Sequence, residues 1–398
     1  MSRFLLSRSP LHKSSSHSSR LLTTTAHHLA NPLPLTTPGP PPAPPSPSPH
    51  DAAAHLQRRR HQAELLKKGQ DLRSAPTATK PGTALKKRFW KDVHIRQTPN
   101  NSSSSSSSKN NNKNETSSYH HTIHLDSRAV RAPSTKSPLL IPSSKPQLAA
   151  AIALEWDLLV NAAQALKSHL IPLTSLAARA SDIASQDTGQ GVTPGRPAAR
   201  EEIIKSMLRY LDTDTLLCWA PVKSGLGEAS GLEGTITQGS TSTKGLSLRE
   251  TQIRAAMPII DFLTTHVWPG VRIHAALEEM GGLIPRPQEQ ITKDVIRGWM
   301  AGLGAWELAG LERATLASKS LLVGARLVVE WSERFHGLVE KENELFTIEK
   351  AAEACSLEVA WQTGIWGEVE DTHDVEKEDL RRQLGSVVLL VSGTGGDS

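Results

Sequence analysis

Residues 351–384 read AAEACSLEVAWQTGIWGEVEDTHDVEKEDLRRQL, and they carry the clearest structural pattern in this chain of 398 residues. Leu357, Trp361 and Ile365 recur every four residues, a spacing that places them on one face of an α-helix. A helix of this kind buries its apolar face against a neighbouring element. The pattern therefore predicts a helix whose apolar side packs inward.

A second helix is predicted to follow after a short turn. Gly364 and Gly367 bracket a tryptophan, and glycine is the residue that most readily ends a helix. Residues 368–376 are rich in Asp and Glu, and we call them the acidic corner. Apolar residues then recur at helical spacing from Glu376 to about Leu390. Two helices joined by an acidic corner form either an interaction surface or a catalytic one.

The strand and helix patterns in the rest of the foldable chain predict an α+β fold. Segments 88–96 and 119–125 alternate apolar and polar residues as strands do, and a strand fragment at 139–141 extends the sheet. An amphipathic helix follows from Ser144 to about His169. From Ser247 onward the pattern is almost entirely helical, with helices predicted at about 270–280, 288–304, 304–336, 347–363 and 376–391.

These patterns divide the chain into three parts. Residues 1–83 are predicted to be a transit peptide and a disordered linker rich in Pro, Ser and basic residues. Residues 84–185 form a small β-rich α+β unit, interrupted by a loop of Ser and Asn at 97–118. Residues 200–392 form a larger orthogonal all-α domain with a mobile insert at 223–246.

The N-terminal composition is that of a mitochondrial transit peptide. The first 50 residues contain no Asp or Glu, but they contain Arg3, Arg8, Lys13 and Arg20 among many serines. Residues 31–50 then include ten prolines, which is typical of an extended linker. A mitochondrial matrix location follows as an expectation.

The charge of the chain is unevenly distributed. Residues 1–120 hold 18 Lys and Arg against 5 Asp and Glu, whereas residues 121–398 hold 27 against 35. The folded part is therefore acidic, which argues against nucleic acid as its partner. No apolar run reaches the 18 residues of a membrane span, and the two cysteines lie far apart, at 218 and 355, in keeping with a reducing compartment.

No motif points clearly to catalysis, a cofactor or a metal. His120 and His124 lie on one face of the predicted strand and His121 on the other, so the three do not converge on a metal. His373 lies beside an aspartate but has no nucleophile placed as a catalytic triad requires. The acidic corner alone could supply paired carboxylates for hydrolysis or for a divalent ion.

Five stretches in order along the chain resemble a known family. They are KKRFWKDVHI at 86–95, HLDSRAVRAPSTKSPLLIPS at 124–143, AAAIALEWDLL at 149–159, LERATLASKSLLVGARLV at 311–328, and LEVAWQ with WGEVEDTHD between 357 and 374. Together they resemble the mitochondrial assembly chaperones that bind the alpha subunit of the F-type ATP synthase catalytic head.

The resemblance implies a monomeric matrix chaperone with no enzymatic activity and no cofactor. Such a protein binds the free alpha subunit, prevents its aggregation and hands it to the beta subunit. In this family we expect acidic residues of the late helices to hold the alpha subunit. The partner-binding candidates are Glu312, Glu358, Gln362, Trp366, Glu368, Glu370 and Asp374.

Two other functional classes remain open at the level of the sequence. The first is a metal-dependent hydrolase that uses the acidic corner 368–376. The second is a structural subunit of a mitochondrial complex such as the ribosome, in which the basic segment 52–96 would bind RNA.

Overall fold

The computed structural model describes residues 57–65, 87–99, 119–189, 198–221, 247–277, 284–339, 345–369 and 371–394. Of residues 1–83, predicted to be a transit peptide and disordered linker, only 57–65 are described, and they are helical; the insert at 223–246 lies outside these ranges. So do Glu370 and residues 100–118 of the predicted Ser and Asn loop.

The described chain has the predicted α+β fold, with a small sheet followed by helices. The strands are β1 (Val93–Pro99), β2 (Tyr119–Leu125), β3 (Arg128–Ala129) and β4 (Ile141–Pro142). The helices are α1 (57–65), α2 (Pro146–Leu158), α3 (Pro172–Asp187), α4 (Ala199–Leu211), α5 (Leu248–Phe262), α6 (Gln290–Ala301), α7 (Ala305–Ser318), α8 (Leu321–Trp331), α9 (His336–Val339), α10 (Ile348–Trp366) and α11 (His373–Val391).

Strand β2 is the centre of an antiparallel sheet. It pairs along its whole length with β1, so that Val93 lies opposite Leu125, while β3 and β4 pair with the two ends of its other edge. Helix α2 contacts β1, β2 and β4. Ile123 of β2 and Ile152 of α2 are completely buried. The sheet is thus stabilised by a helix, as a sheet this small requires.

The first strand begins later than the sequence pattern predicts. Strand β1 starts at Val93 rather than at Arg88. Trp90 is buried and its ring lies 5.5 Å from the ring of Trp156, edge to face. The Arg88 guanidinium donates to the backbone oxygens of Trp90, at 3.0 Å, and Asp157, at 2.8 Å. These tertiary contacts hold the segment in an irregular conformation that local alternation does not reveal.

Three helix predictions also change in the structure. The helix predicted from Ser144 to about His169 ends at Leu158, and a separate 3₁₀-helix follows at Ala162–Leu166. The predicted helix at 304–336 is two helices, because Lys319 adopts a left-handed conformation with φ of 56° and Ser320 caps α8. Residues 270–277, predicted to begin a helix, are irregular. There the side chain of Gln288 bonds both the N–H and the carbonyl of His274, at 3.0 and 2.7 Å, in place of helical partners.

Helix α8 forms the centre of the helical region. Every residue from Leu321 to Glu330 is buried, as expected for a helix that is surrounded on all sides. Helices α4, α5, α7, α10 and α11 contact it. Helix α3, the second α-helix after the sheet, contacts α7 and α11, so the N-terminal part of the described fold packs directly on the later helices. The division at residues 185–200 remains a prediction.

Candidate protein-binding site

Helices α10 and α11 form a hairpin whose connection is the acidic corner. Thr347 caps α10 by accepting from the Lys350 N–H at 3.3 Å. Gly367 ends α10 with φ of 87°, a backbone conformation that favours glycine. Of the two glycines predicted to end this helix, Gly367 does so, whereas Gly364 lies inside it, so α10 extends three residues beyond the predicted 363. The second helix begins at His373, three residues before the predicted start.

The two ends of this hairpin differ in burial. The C-terminal half of α11 lies in the core, where Leu384, Val387 and Leu390 are completely buried. Towards the acidic corner, by contrast, the helices are exposed, and Trp366 is 58% exposed. Leu357, Trp361 and Ile365 are half-buried rather than fully buried. The hairpin is therefore anchored at its base and presents its connection to solvent.

A groove of about 440 Å³ runs along α10. Its walls come from α10, α11, α5, the end of α7 and the short 3₁₀-helix Thr215–Leu217. Apolar lining is supplied by Leu216, Leu357 and Leu380, and carboxylates by Glu358 and Glu368. The lining also includes Lys319, Lys377 and Arg381, so the groove combines an apolar floor with charged groups of both signs.

The structure brings several of the predicted residues to this end of the molecule. The Gln362 amide donates to the Glu358 carboxylate at 3.2 Å, which makes them neighbours on one exposed stripe of α10. Glu368 lines the groove, and Asp374 lies exposed in the first turn of α11. Glu370 lies outside the described residues.

Glu312 lies elsewhere and has a structural contact. It is on α7, it does not line the groove, and its two carboxylate oxygens accept from Nε and Nη2 of Arg179, both at 2.9 Å. The hydrogen bond to Glu312 raises the pKa of the Arg179 guanidinium. This bidentate pair joins α3 to α7.

Two residues of the site have roles that the sequence did not predict. The His373 Nδ1 accepts from the Val369 N–H at 3.0 Å and so closes the turn between the helices. Cys355 lines the groove, and burial raises the pKa of its thiol to about 12. The sequence offers no signal for either role, because both depend on how the two helices are positioned.

The described ranges contain no group of three or more His, Cys, Asp and Glu side chains that could hold a metal ion. Nor does any helix in the described part of the chain have the length and apolar character needed to cross a membrane. An exposed tryptophan beside an open groove is a feature of protein-binding surfaces, and exposed carboxylates around it favour a partner of opposite charge. The described structure is thus an α+β protein whose C-terminal hairpin presents a candidate surface for a protein partner.

Comparisons with known proteins give the family. Residues 87–264 match the family described as ATP12 chaperone protein. The mitochondrial protein ATP12 of Saccharomyces cerevisiae is 28% identical over 326 residues, which span 79% of this chain and 87% of that protein. The mitochondrial protein atp12 of Schizosaccharomyces pombe is 30% identical over 268 residues, which span 67% of this chain and 76% of that protein. The crystal structure of Atp12 from Paracoccus denitrificans is 20% identical with a TM-score of 0.48, over 76% of this chain and 96% of that one.

The chain belongs to the ATP12 chaperone family. The family resemblance inferred from the sequence is confirmed, and the chain is a chaperone rather than an enzyme. Family membership supports a role in the assembly of mitochondrial ATP synthase. Because both yeast relatives are named as mitochondrial proteins, it also supports a mitochondrial location.

Proposed function

We propose that this protein binds the free alpha subunit of ATP synthase in the mitochondrial matrix and protects it until the beta subunit takes its place. The observation that carries the proposal is the exposed α10–α11 hairpin, since its described residues include most of the stretch between 357 and 374, one of the five stretches that resemble the family. An unassembled subunit exposes a large, partly apolar interface that is prone to aggregation. Reversible coverage of that interface prevents the aggregation.

The proposed binding surface consists of the groove, Trp366 and the carboxylates around them. The apolar floor and Trp366 supply burial of the client's apolar side chains. Glu358, Glu368 and Asp374 supply a negative rim that orients a basic segment of the client. Rim charges affect association rate and specificity more than they affect tightness. Such a surface binds well but still releases its client.

Release is proposed to occur by competition. The beta subunit covers the same face of the alpha subunit in this scheme, so it displaces a monomeric chaperone without any chemical step. Purified protein that hydrolysed ATP by itself would contradict this part of the proposal.

A pull-down tests the binding surface. The wild-type chain is expected to recover alpha subunit in the absence of beta. Glu358→Lys combined with Glu368→Lys is expected to lower recovery about tenfold, because the rim then repels a basic segment. The matched control is Asp261→Lys with Asp294→Lys, which reverses two exposed carboxylates on α5 and α6. Equal losses in the two variants would show that general charge, rather than the groove, governs binding.

A further inference from the structure

A short basic helix contacts the acidic corner from another part of the chain. Helix α1, at 57–65, contains Arg58, Arg59 and Arg60. The Arg58 guanidinium forms an ion pair with the carboxylate of Asp371, which is 313 residues away in the sequence. Asp371 is in the left-handed region, with φ of 60°, in the connection between α10 and α11. The N-terminal segment thus meets the corner of the hairpin.

The charges of the two segments are complementary. The described part of α1 carries three arginines and one glutamate, which gives it a net positive charge. The described residues of the acidic corner carry four exposed carboxylates, at 368, 371, 374 and 376. Attraction between such segments is electrostatic and is screened by salt within about 10 Å at 0.1 M ionic strength. The Arg58–Asp371 ion pair therefore lies between two segments of opposite net charge, which attract each other.

The contact is suited to displacement. Every described residue of α1 is exposed, so the helix buries no apolar side chain when it meets the corner. The side chains of Arg58 and Asp371 are themselves 44% and 63% exposed, and ion pairs this exposed contribute little on their own. Helix α1 is, however, covalently part of the same chain as the corner, so the contact is intramolecular and is favoured over binding of a separate basic segment from solution.

We propose that α1 is an internal competitor that screens the acidic corner until a client displaces it. The displacing group is a basic segment of the client protein, since only a segment rich in Lys and Arg competes for the same carboxylates. The identity of the client rests on the function proposed above, whereas the contact between α1 and the corner does not. A weakly basic, non-specific protein does not displace α1 from the acidic corner. A client that also fills the groove gains additional binding energy and does displace it.

A cysteine pair tests the contact without any client. In a full-length chain with Cys218→Ala and Cys355→Ala, Arg58→Cys and Asp371→Cys are expected to be joined by a bifunctional thiol reagent whose reach matches the combined length of the arginine and aspartate side chains they replace. The control pair combines Arg58→Cys with Glu201→Cys, an exposed position at the start of α4. Circular dichroism verifies that both proteins fold. Equal or absent crosslinking in the two pairs would overturn the proposal.

A charge-reversal series tests the competition. Reversal of Arg58, Arg59 and Arg60 to Glu is expected to tighten binding of the alpha subunit by about threefold to tenfold at low salt, and by less at high salt. The matched control reverses three exposed basic residues elsewhere, Lys205, Arg209 and Arg297. Crosslinking of α1 to the corner, combined with an affinity for the alpha subunit that charge reversal leaves unchanged, would overturn the competitor role. If no variant binds the alpha subunit, the proposed function fails, while the crosslink still decides whether the contact exists.

Discussion

Lys145 lies at the junction between the sheet and the C-terminal helix, and it is almost completely buried. Its ammonium donates to the carbonyls of Val391 and Ser392, at 2.9 and 3.1 Å, and lies 3.1 Å from a carboxylate oxygen of Glu333. A buried ammonium is tolerated only when its donors are satisfied in this way. One side chain therefore joins the start of α2 to the end of α11.

Lys145→Met keeps the length of the side chain but removes its charge and its donors. It is expected to lower the free energy of unfolding by about 2–3 kcal/mol, because two carbonyls and a carboxylate lose their partner. Denaturant unfolding monitored by circular dichroism measures the change. Lys167→Met, at an exposed position, is the control and should stay within about 0.5 kcal/mol of wild type. Similar values for both variants would contradict this account.

Asp214 is a completely buried carboxylate that organises the break between α7 and α8. It accepts from the N–H of Leu216 at 3.0 Å and from that of Leu322 at 3.1 Å. Burial raises its pKa from 3.8 to about 6. Because the folded state binds the proton more tightly than the unfolded state, this group stabilises the fold most below pH 3.8. That contribution is lost as the pH rises towards 6.

Asp214→Asn is expected to remove this part of the pH dependence. The stability of wild type relative to the variant should therefore fall by on the order of 3 kcal/mol as the pH rises through this window. Denaturant unfolding at several pH values measures this difference in the free energy of unfolding. Asp261→Asn, at an exposed position, is the control. A constant difference between wild type and Asp214→Asn would show that the buried carboxylate does not titrate here.

At the scale of elements, α7 and α11 approach each other closely at Gly310. A Cβ atom added there would lie 2.7 Å from Val391 Cγ1 and 3.4 Å from Val387 Cγ1. Valine is branched at Cβ and has little freedom to move aside. The close packing of the last helix against the core therefore depends on the missing side chain.

Two glycine substitutions make a matched pair. Gly310→Ala is expected to lower the free energy of unfolding by about 1–3 kcal/mol through overpacking. Gly298→Ala, inside α6 where an added Cβ meets nothing within 4 Å, should raise it by about 0.5–1 kcal/mol. Thermal unfolding of both variants tests the pair, and destabilisation of the same size in each would contradict the packing argument.

Elements differ in how well their sequences predicted them. Helices α10 and α11 were predicted to within about three residues, because helical periodicity, a terminal glycine and an acidic first turn are all local signals. The start of β1 and the break at Lys319 were missed. Both depend on partners distant in sequence, namely Asp157 for Arg88 and Asp214 for α8. Local patterns carry no information about such partners.

At the scale of the whole molecule, the sheet and the helical region depend on each other. The buried face of α3, which includes Ala177 and Ala180, belongs to the helix that contacts α7 and α11. The Arg179–Glu312 pair and the buried Lys145 add polar links between the two regions. Either region alone would expose these groups to water.

A fragment of residues 84–185 is accordingly expected to lack a cooperative fold. Without α7 and α11, the buried face of α3 loses its cover and Lys145 loses its carbonyl partners. Thermal unfolding and near-ultraviolet circular dichroism should show no transition for the fragment and a clear one for residues 84–398. A sharp transition in the fragment would favour an autonomous unit, as the predicted domain division suggests.

The sequence by itself determined the α+β class, the two helices around the acidic corner, the negative charge of the folded part and the family resemblance. These features depend on periodicity and composition, which are local. Only the tertiary structure decided that Glu312 pairs with Arg179 and that Arg58 meets Asp371. It likewise decided that Leu357, Trp361 and Ile365 line a half-open surface instead of a closed core. Each of these contacts depends on which elements, distant in sequence, pack together. That packing is determined by burial of the whole hydrophobic core and not by any local pattern.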